Sequence, residues 1–439
     1  MQRPRLWWFP VLLAVLVAGG WYYTRNAKEG DRELPVYVHG GERMAAGEEI
    51  YRRAAEAKPF TYPPFAAVPF VPFAQLPASW QPAVWFAVTL LMLLPILVWL
   101  QRWLQTPWPG AGPPRAVWAW VLAALVALRH VSSVFENQSH DLMVFAPAAL
   151  AIAWCGRGGR ARGALAGLMA GAAAAFKATP LLFLVWFVPA RAWWAAATLV
   201  LGFALLSFAP DLLWPRADGG SWLLQWIDVN LRGLQVGGAA AAEGAWNPHG
   251  ILNQSLSGTL TRLLSPPVVN DVFTVPAATL VDWPPGAVKA AILTAQLAVV
   301  AGIGLGVLWL RRGIVLAAAA DPAAVPLVQR RGALGAGGLV LCGMVLLSPM
   351  SSKSHFCVLL APAVFCADRL LRGRRDVLLA CLFGAAALLA TGSAKGLLGR
   401  QVGNLVLGLG AVTWSTVLLM LATLRALRPA AGVIRYDAA

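Results

Sequence analysis

Charge is scarce in this sequence. Asp, Glu, Lys and Arg make up 12% of its 439 residues, against about 25% in a typical soluble domain. An ordinary soluble globular protein is excluded. The five cysteines show no disulfide or zinc spacing: Cys342, Cys357, Cys366 and Cys381 lie in apolar runs, and Cys155 at the end of one. There is no Gly-rich phosphate loop of the Walker type, so nucleotide hydrolysis has no support. There is no internal repeat of the kind that paired transporter halves show. The first apolar run ends in the bulky WYY of residues 21–23 without a small-residue cleavage site, so a retained first span is expected there.

What the chain has in abundance is apolar sequence. Hydrophobic residues make up 59%, in runs near the roughly 17–25 residues that cross a bilayer. The expected fold is an all-α polytopic integral membrane protein, one domain over residues 1–439. About twelve transmembrane helices are placed at 7–24, 80–100, 116–134, 140–155, 163–177, 179–190, 192–211, 287–310, 332–348, 355–370, 376–393 and 402–424.

The net charge of +16 is unevenly distributed. With the N-terminus in the cytoplasm, the inner segments hold about 19 Lys/Arg and 4 Asp/Glu, and the outer ones about 16 and 15. This is the positive-inside bias. It puts GRGGRAR (156–162), the Arg pairs at 311–312 and 330–331, RLLRGRRD (369–376) and both termini in the cytoplasm. Basic loops on anionic lipid explain the charge, and no nucleic-acid partner is expected. The outer segments, 25–79, 129–140, 177–180, 212–286, 348–355 and 394–401, hold nearly all the Asp, Glu, His, Asn and Gln, so function is expected on the outer face.

The segment FTYPPFAAVPFVPF (60–73) is apolar but carries Pro63, Pro64, Pro69 and Pro72. Each proline removes a backbone donor and disfavours a continuous helix. Irregular backbone at membrane depth needs cover from protein or a wet cavity. A re-entrant or interfacial element after the first outer loop is therefore expected. Before it, PVYVHGGERMAAG (35–47) reads as a short helix ended by Gly47, and Ser255 as the cap of the helix begun by SLSGTLTRLL. NQS at 137 and at 253 matches the glycosylation pattern, a frequent chance match. Trp214, Trp222, Trp226, Trp246 and Trp283 read as interfacial anchors, with stacking on a sugar as the sharper alternative.

The ordered set LPVY, AGEEIY, FTYPPF, ENQSHDL (136–142), FKATPLLF (176–183), NQSLSGTLTRLL (253–264) and SPMSSKSHF (348–356) resembles glycosyltransferase family 87, the polyprenyl-phosphomannose-dependent mannosyltransferases of the GT-C superfamily. The resemblance covers about residues 30–370. It implies a many-span enzyme that transfers mannose from a polyprenyl-phosphate donor, at the outer leaflet, to a glycolipid, glycan or protein acceptor. Membrane lipids are the surrounding partners. The alternative is a multi-span transporter or lipid flippase, which would place its polar groups at mid-bilayer.

Such a transfer needs a base for the acceptor hydroxyl and positive charge or hydrogen-bond donors for the leaving phosphate. The family pattern puts a carboxylate at Glu33, where Asp is usual. Asp31 is the alternative base. Lys177, Lys353 and His355 are candidates for the phosphate, and His355 also for orienting the base. Tyr62, Asn137, Gln138, His140, Asp141, Asn253 and Gln254 are candidate substrate contacts. Competing readings are a snorkelling Lys177, an exposed His355 and solvated loop carboxylates. No cofactor is specified, and a divalent metal is left open because two or three ligand-type groups in one loop name no metal.

Overall fold

The computed structural model describes residues 8–26, 32–51, 58–106, 113, 115–232, 247–267, 271–373 and 375–428. Both chain ends, Asp31 and Trp246 therefore lie outside the described residues. The described part is helical, with one isolated bridge between Gly250 and Thr274. In chain order the α-helices are α1 (Trp8–Arg25), α2 (Leu34–Ala46), α3 (Phe70–Phe73), α4 (Gln81–Leu104), α5 (Ala116–Glu136), α6 (Asp141–Cys155), α7 (Arg160–Phe176), α8 (Leu184–Phe187) and α9 (Trp193–Leu213). They continue as α10 (Trp222–Trp226), α11 (Leu256–Leu264), α12 (Pro285–Ala320), α13 (Val325–Leu347), α14 (Leu360–Arg372), α15 (Val377–Gly392), α16 (Lys395–Gly408) and α17 (Ala411–Leu427).

This is an integral, multi-pass, all-α membrane protein. Among the described residues, six helices are long and apolar enough to cross a bilayer: α4, α5, α9, α12, α13 with its short 3-10 lead-in, and the 353–372 segment that contains α14. The bent pair α15–α16 makes a seventh if it is counted as one span. Other expected spans fall on shorter helices such as α6, of 15 residues, and α7, of 17.

Two expected spans have a different form. The 402–424 run is not one helix. α16 crosses α15 at 92°, and Gly410, with φ 83°, separates it from α17. A left-handed residue ends a helix whatever its hydropathy, so only α17 runs back alongside α15. The 179–190 run is a 3-10 turn at Thr179–Phe183 followed by the single-turn α8. It nevertheless connects two ends of the molecule. Lys177 at one end faces Asp141, and at the other the Pro189 carbonyl accepts from Arg311 Nη1 at 2.7 Å.

Loops separate into two groups. At one end Glu33 N–H donates to the Asn137 carbonyl, Ala217 N–H to Gly47, Trp226 Nε1 to Thr61, and Gln254 N–H to Ser351. At the other, Arg331 pairs with Asp368 at 2.7 Å, Arg372 Nη2 reaches the Leu104 carbonyl, Gln329 Nε2 the Cys155 carbonyl, and Arg425 pairs with Asp376. These are the two sets that alternate crossing separates.

Close helix packing follows the small residues. A Cβ on Gly167 would lie 2.1 Å from the Ala195 carbonyl oxygen, and one on Gly171 2.6 Å from that of Leu199. The Gly-x-x-x-Gly face of α7 thus meets α9 backbone to backbone, as in membrane helix pairs. α13 is nearly enclosed, whereas α9 and α12 leave most of their surface outside. With 36 residues, α12 is about 54 Å long.

A second, smaller core caps the loop-rich end. Leu34, Tyr37, Met44, Phe60, Phe70, Trp85, Trp222 and Trp226 are buried together. Residues 64–73 form the broken element that the prolines require, a 3-10 turn at Pro64–Ala67 and then α3. They lead through a turn into α4 rather than continuing it. α2 ends at Gly47, φ 70°, as its sequence predicts. Trp222 and Trp226 are core residues here, while Trp283 stays exposed.

Candidate active site

The site lies under this cap. The Asn137 carbonyl accepts the Glu33 backbone N–H at 2.8 Å, which fixes the start of α2 against the end of α5. One turn on, the Tyr37 hydroxyl donates to Glu33 Oε2 at 2.5 Å. Residues four apart share a helix face, so the pair is a local product of the α2 register. Burial, and then the Asp141 charge, push the Glu33 carboxyl up to about 7, against the Tyr37 hydrogen bond, Lys177 and Lys58. Burial also raises the Tyr37 and Tyr62 hydroxyls well above their usual value.

Asp141 opens α6 and is buried. Ser139 Oγ donates to its Oδ2 at 2.8 Å. Its Oδ1 faces Lys177 Nζ at 3.5 Å and His355 Nε2 at 3.6 Å. Lys177 reaches it because α7 stops there: the residue is extended, φ −158° and ψ 117°. The Ser352 backbone N–H donates to His355 Nδ1 at 3.0 Å. A nitrogen that accepts carries no proton, so the ring is neutral with its proton on Nε2, the nitrogen 3.6 Å from Asp141 Oδ1, and the ring also hydrogen-bonds the Met350 backbone. A cavity of about 10 Å³ lies among Asp141, Lys177, Thr179, Ser348, Ser351 and His355, with four apolar side chains completing it. That is room for about one water.

His140 is 1% exposed. Its ring stands edge-on to Tyr62 at 4.2 Å and Tyr37 at 4.7 Å between centroids. Neither ring nitrogen has a hydrogen-bond partner. Glu33, Tyr62, His140, Asp141, Lys177 and His355 therefore occupy one neighbourhood.

The other expected site residues lie around it. Lys353 Nζ pairs with Glu136 at 3.1 Å, and its carbonyl contacts His130 Nδ1 at 2.9 Å. It does not line the cavity. Gln138 is buried in a turn with φ 52°. Asn253 Oδ1 accepts from the Ser351 and Ser255 backbones, and its Nδ2 donates to the Pro349 carbonyl. Gln254 Nε2 donates to the Ile251 and Leu407 carbonyls. The Asn253 amide and the Gln254 backbone N–H, which donates to the Ser351 carbonyl, fasten the turn that presents Ser351 and His355. Ser255 caps α11 through Gly258 N–H, as its position in the sequence predicts. Arg262, 2% exposed, anchors the same loop through the Gly250, Asn253 and Gly408 carbonyls. Both Asn-Gln-Ser tripeptides are thus parts of the framework.

Sequence reasoning missed Tyr37, Thr179, Ser348 and Ser351. For Tyr37 the signal was its spacing of four from Glu33. The other three had none, because only the fold brings 179 to 348. Among the described residues, no three His, Cys, Asp or Glu side chains form a group that could hold a metal ion.

Comparisons with known proteins bear on this arrangement. The family description "Glycosyltransferase family 87" matches residues 60–349. A search of curated proteins found no match. Among solved structures, the chain is similar to ArnT from Cupriavidus metallidurans in the apo state, at 17% identity. The alignment covers 95% of this chain and 76% of that one, with a TM-score of 0.42.

Proposed function

The chain belongs to glycosyltransferase family 87, and on that premise we propose that it transfers a hexose from a polyprenyl-phosphate sugar to an acceptor hydroxyl by one inverting displacement. Mannose is the sugar the family resemblance implies. Glu33 is the base and takes the acceptor proton. The acceptor oxygen bonds to the sugar's anomeric carbon as the bond from that carbon to phosphate oxygen breaks. The electron pair stays on the phosphate, held by Lys177 and by the Nε2 proton of His355. The carrying observation is that Glu33 lies within reach of the Asp141 and Lys177 charges, while Lys177 and His355 both face Asp141. A base with a pKa near 7 suits proton transfer at neutral pH.

Tyr62 and His140 line the sugar side in this reading. Asn137 and Gln138 shape its floor, Asn253 and Gln254 hold the phosphate-binding turn, and Lys353 stands at the rim. The chain crosses the membrane twelve times, with the 179–190 segment as a broken crossing and α17 as the last. The loop-rich end faces outward and the Arg-rich end the cytoplasm, supported by the positive-inside bias. The transporter alternative loses its basis with family membership, and the titratable groups of the candidate site gather at the loop-rich end of the bundle.

Incubation of the purified protein with a panel of polyprenyl-phosphate sugars and acceptor extracts tests this. Release of polyprenyl phosphate from the mannose donor is the expected result. Release only from another sugar overturns the mannose assignment, and release from none overturns the donor class.

A further inference from the structure

Transfer changes the charge of the lipid carrier, and the site contains a group placed to sense that change. The donor is a phosphodiester with one negative charge. After transfer the carrier is a phosphate monoester, whose second proton dissociates with a pKa near 6, so it is largely dianionic at neutral pH. The charge balances: the acceptor proton neutralises Glu33, and the electron pair of the broken bond gives the phosphate its second charge.

Asp141 is the group so placed. It is 3% exposed, and its Oδ1 lies 3.5 Å from Lys177 Nζ and 3.6 Å from His355 Nε2. Both separations exceed a good hydrogen bond, and the cavity of about 10 Å³ lies among these three residues. The groups that face Asp141 are Lys177 at the end of α7, His355 and Ser354 on the turn before α14, with the Ser354 side chain hydrogen-bonded to it, Ser139 and His140 in its own turn, and Glu33 at the cap of α2. His355 is neutral, because its Nδ1 accepts from the Ser352 N–H. Lys177 and Asp141 therefore cancel in formal charge. A phosphate held by Lys177 and His355 sits beside a fixed carboxylate, whose repulsion is twice as great for a dianion as for a monoanion at the same place.

We propose that Asp141 is a specificity-determining residue that makes the site prefer the monoanionic diester donor over the dianionic monoester, and so favours release of the spent carrier. The proposal rests on the donor site assigned above to Lys177 and His355. It differs from an electrostatic anchor for Lys177, because an anchor strengthens the binding of both lipids alike.

The test uses the full chain in nanodiscs and two probes, a short isoprenyl phosphate monoester and its methyl diester. Dissociation constants are measured at pH 8 and at pH 5. Asp141→Asn is expected to tighten monoester binding about tenfold more than diester binding at pH 8. It should also increase inhibition by added monoester during turnover. At pH 5 the monoester keeps its proton, and the difference between the probes should largely vanish. An unchanged ratio of the two affinities at pH 8, or a ratio that moves toward the diester, overturns the proposal. Ser139→Ala is the second variant, for use if Asp141→Asn does not fold. It removes the donor to Oδ2 and should strengthen the preference for the diester, and no change there also overturns the proposal. Lys177→Met and His355→Gln test the underlying reading separately. Each should weaken both probes, and if neither does, the donor site itself is wrong whatever Asp141 does.

Discussion

The Tyr37 hydroxyl holds the Glu33 carboxylate at 2.5 Å from one turn further along the same helix. The proposed base is thus oriented by its own element, independently of any partner across the site. The bond favours the ionised carboxylate and opposes the burial that raises it to about 7. Tyr37→Phe should therefore raise the Glu33 pKa further. Hydrogen bonds to charged groups contribute about 1.5–3 kcal/mol, and 1.36 kcal/mol corresponds to one pKa unit. A shift of about one unit or more is expected. The carboxylate is the active form, so the acidic limb of the kcat–pH profile should move to higher pH. Activity lost at pH 7 should return near pH 9. An unmoved limb would remove Tyr37 from this role.

Glu33→Gln keeps the shape and removes the basicity. Turnover should fall about 100- to 10,000-fold, with binding of the donor largely kept. Asp31→Asn should stay active. Glu33→Asp restores the residue the family pattern prefers but shortens the reach to Tyr37, so partial activity with an altered pH profile is expected. A dead Asp31→Asn beside an active Glu33→Gln would transfer the role to Asp31.

The α7–α9 contact makes a stability prediction. Gly167→Val places a side chain where the Ala195 carbonyl oxygen would lie 2.1 Å from its Cβ. Overpacking of this kind costs about 1–3 kcal/mol. Thermal unfolding in detergent should begin several degrees lower. Gly163→Ala, on the same helix with nothing within 4 Å, should leave the transition within error.

Orientation can be read by labelling. On a background without the exposed Cys381, Ala217→Cys in a loop and Ala161→Cys in the first turn of α7 place exposed thiols at opposite ends. A membrane-impermeant reagent on intact cells should modify residue 217 and leave 161 unmodified. The reverse pattern would invert the topology and move the site to the cytoplasm.

Local signals in the sequence were reliable where one residue determines the outcome. Gly47 ends α2 because a left-handed residue tolerates no side chain cheaply, and Ser255 caps α11 because its hydroxyl accepts a free amide. The prolines of 60–73 required a broken element. Hydropathy failed where geometry depends on one torsion. The 402–424 run is uncharged and largely apolar, yet Gly410 divides it. In the candidate site, sequence pointed to Glu33, Asp141, Lys177 and His355 as residue types. It could not show that Glu136 engages Lys353, or that Asn253 and Gln254 bind backbone, because those partners are 217, 98 and 153 positions away.

The two walls of the 10 Å³ cavity differ in how firmly they are held. The Ser348–His355 side is secured by Asn253 and Gln254 and by Ser351 Oγ on the Val345 carbonyl. The facing side is Lys177 and Thr179, where α7 gives way to a 3-10 turn and a single helical turn. A sugar phosphate is far larger than one water, so loading the enzyme requires one wall to yield. Both walls include 3-10 helix, Thr179–Phe183 on one side and Lys353–Leu359 on the other, so the fastening of the second wall by Asn253 and Gln254, and not helix type, makes residues 177–187 the expected place of displacement. On the proposed function, the irregular 179–190 segment would then serve as the hinge that admits the donor. Hydrogen exchange should be faster across 179–187 than across 349–359 and should slow there when donor is added.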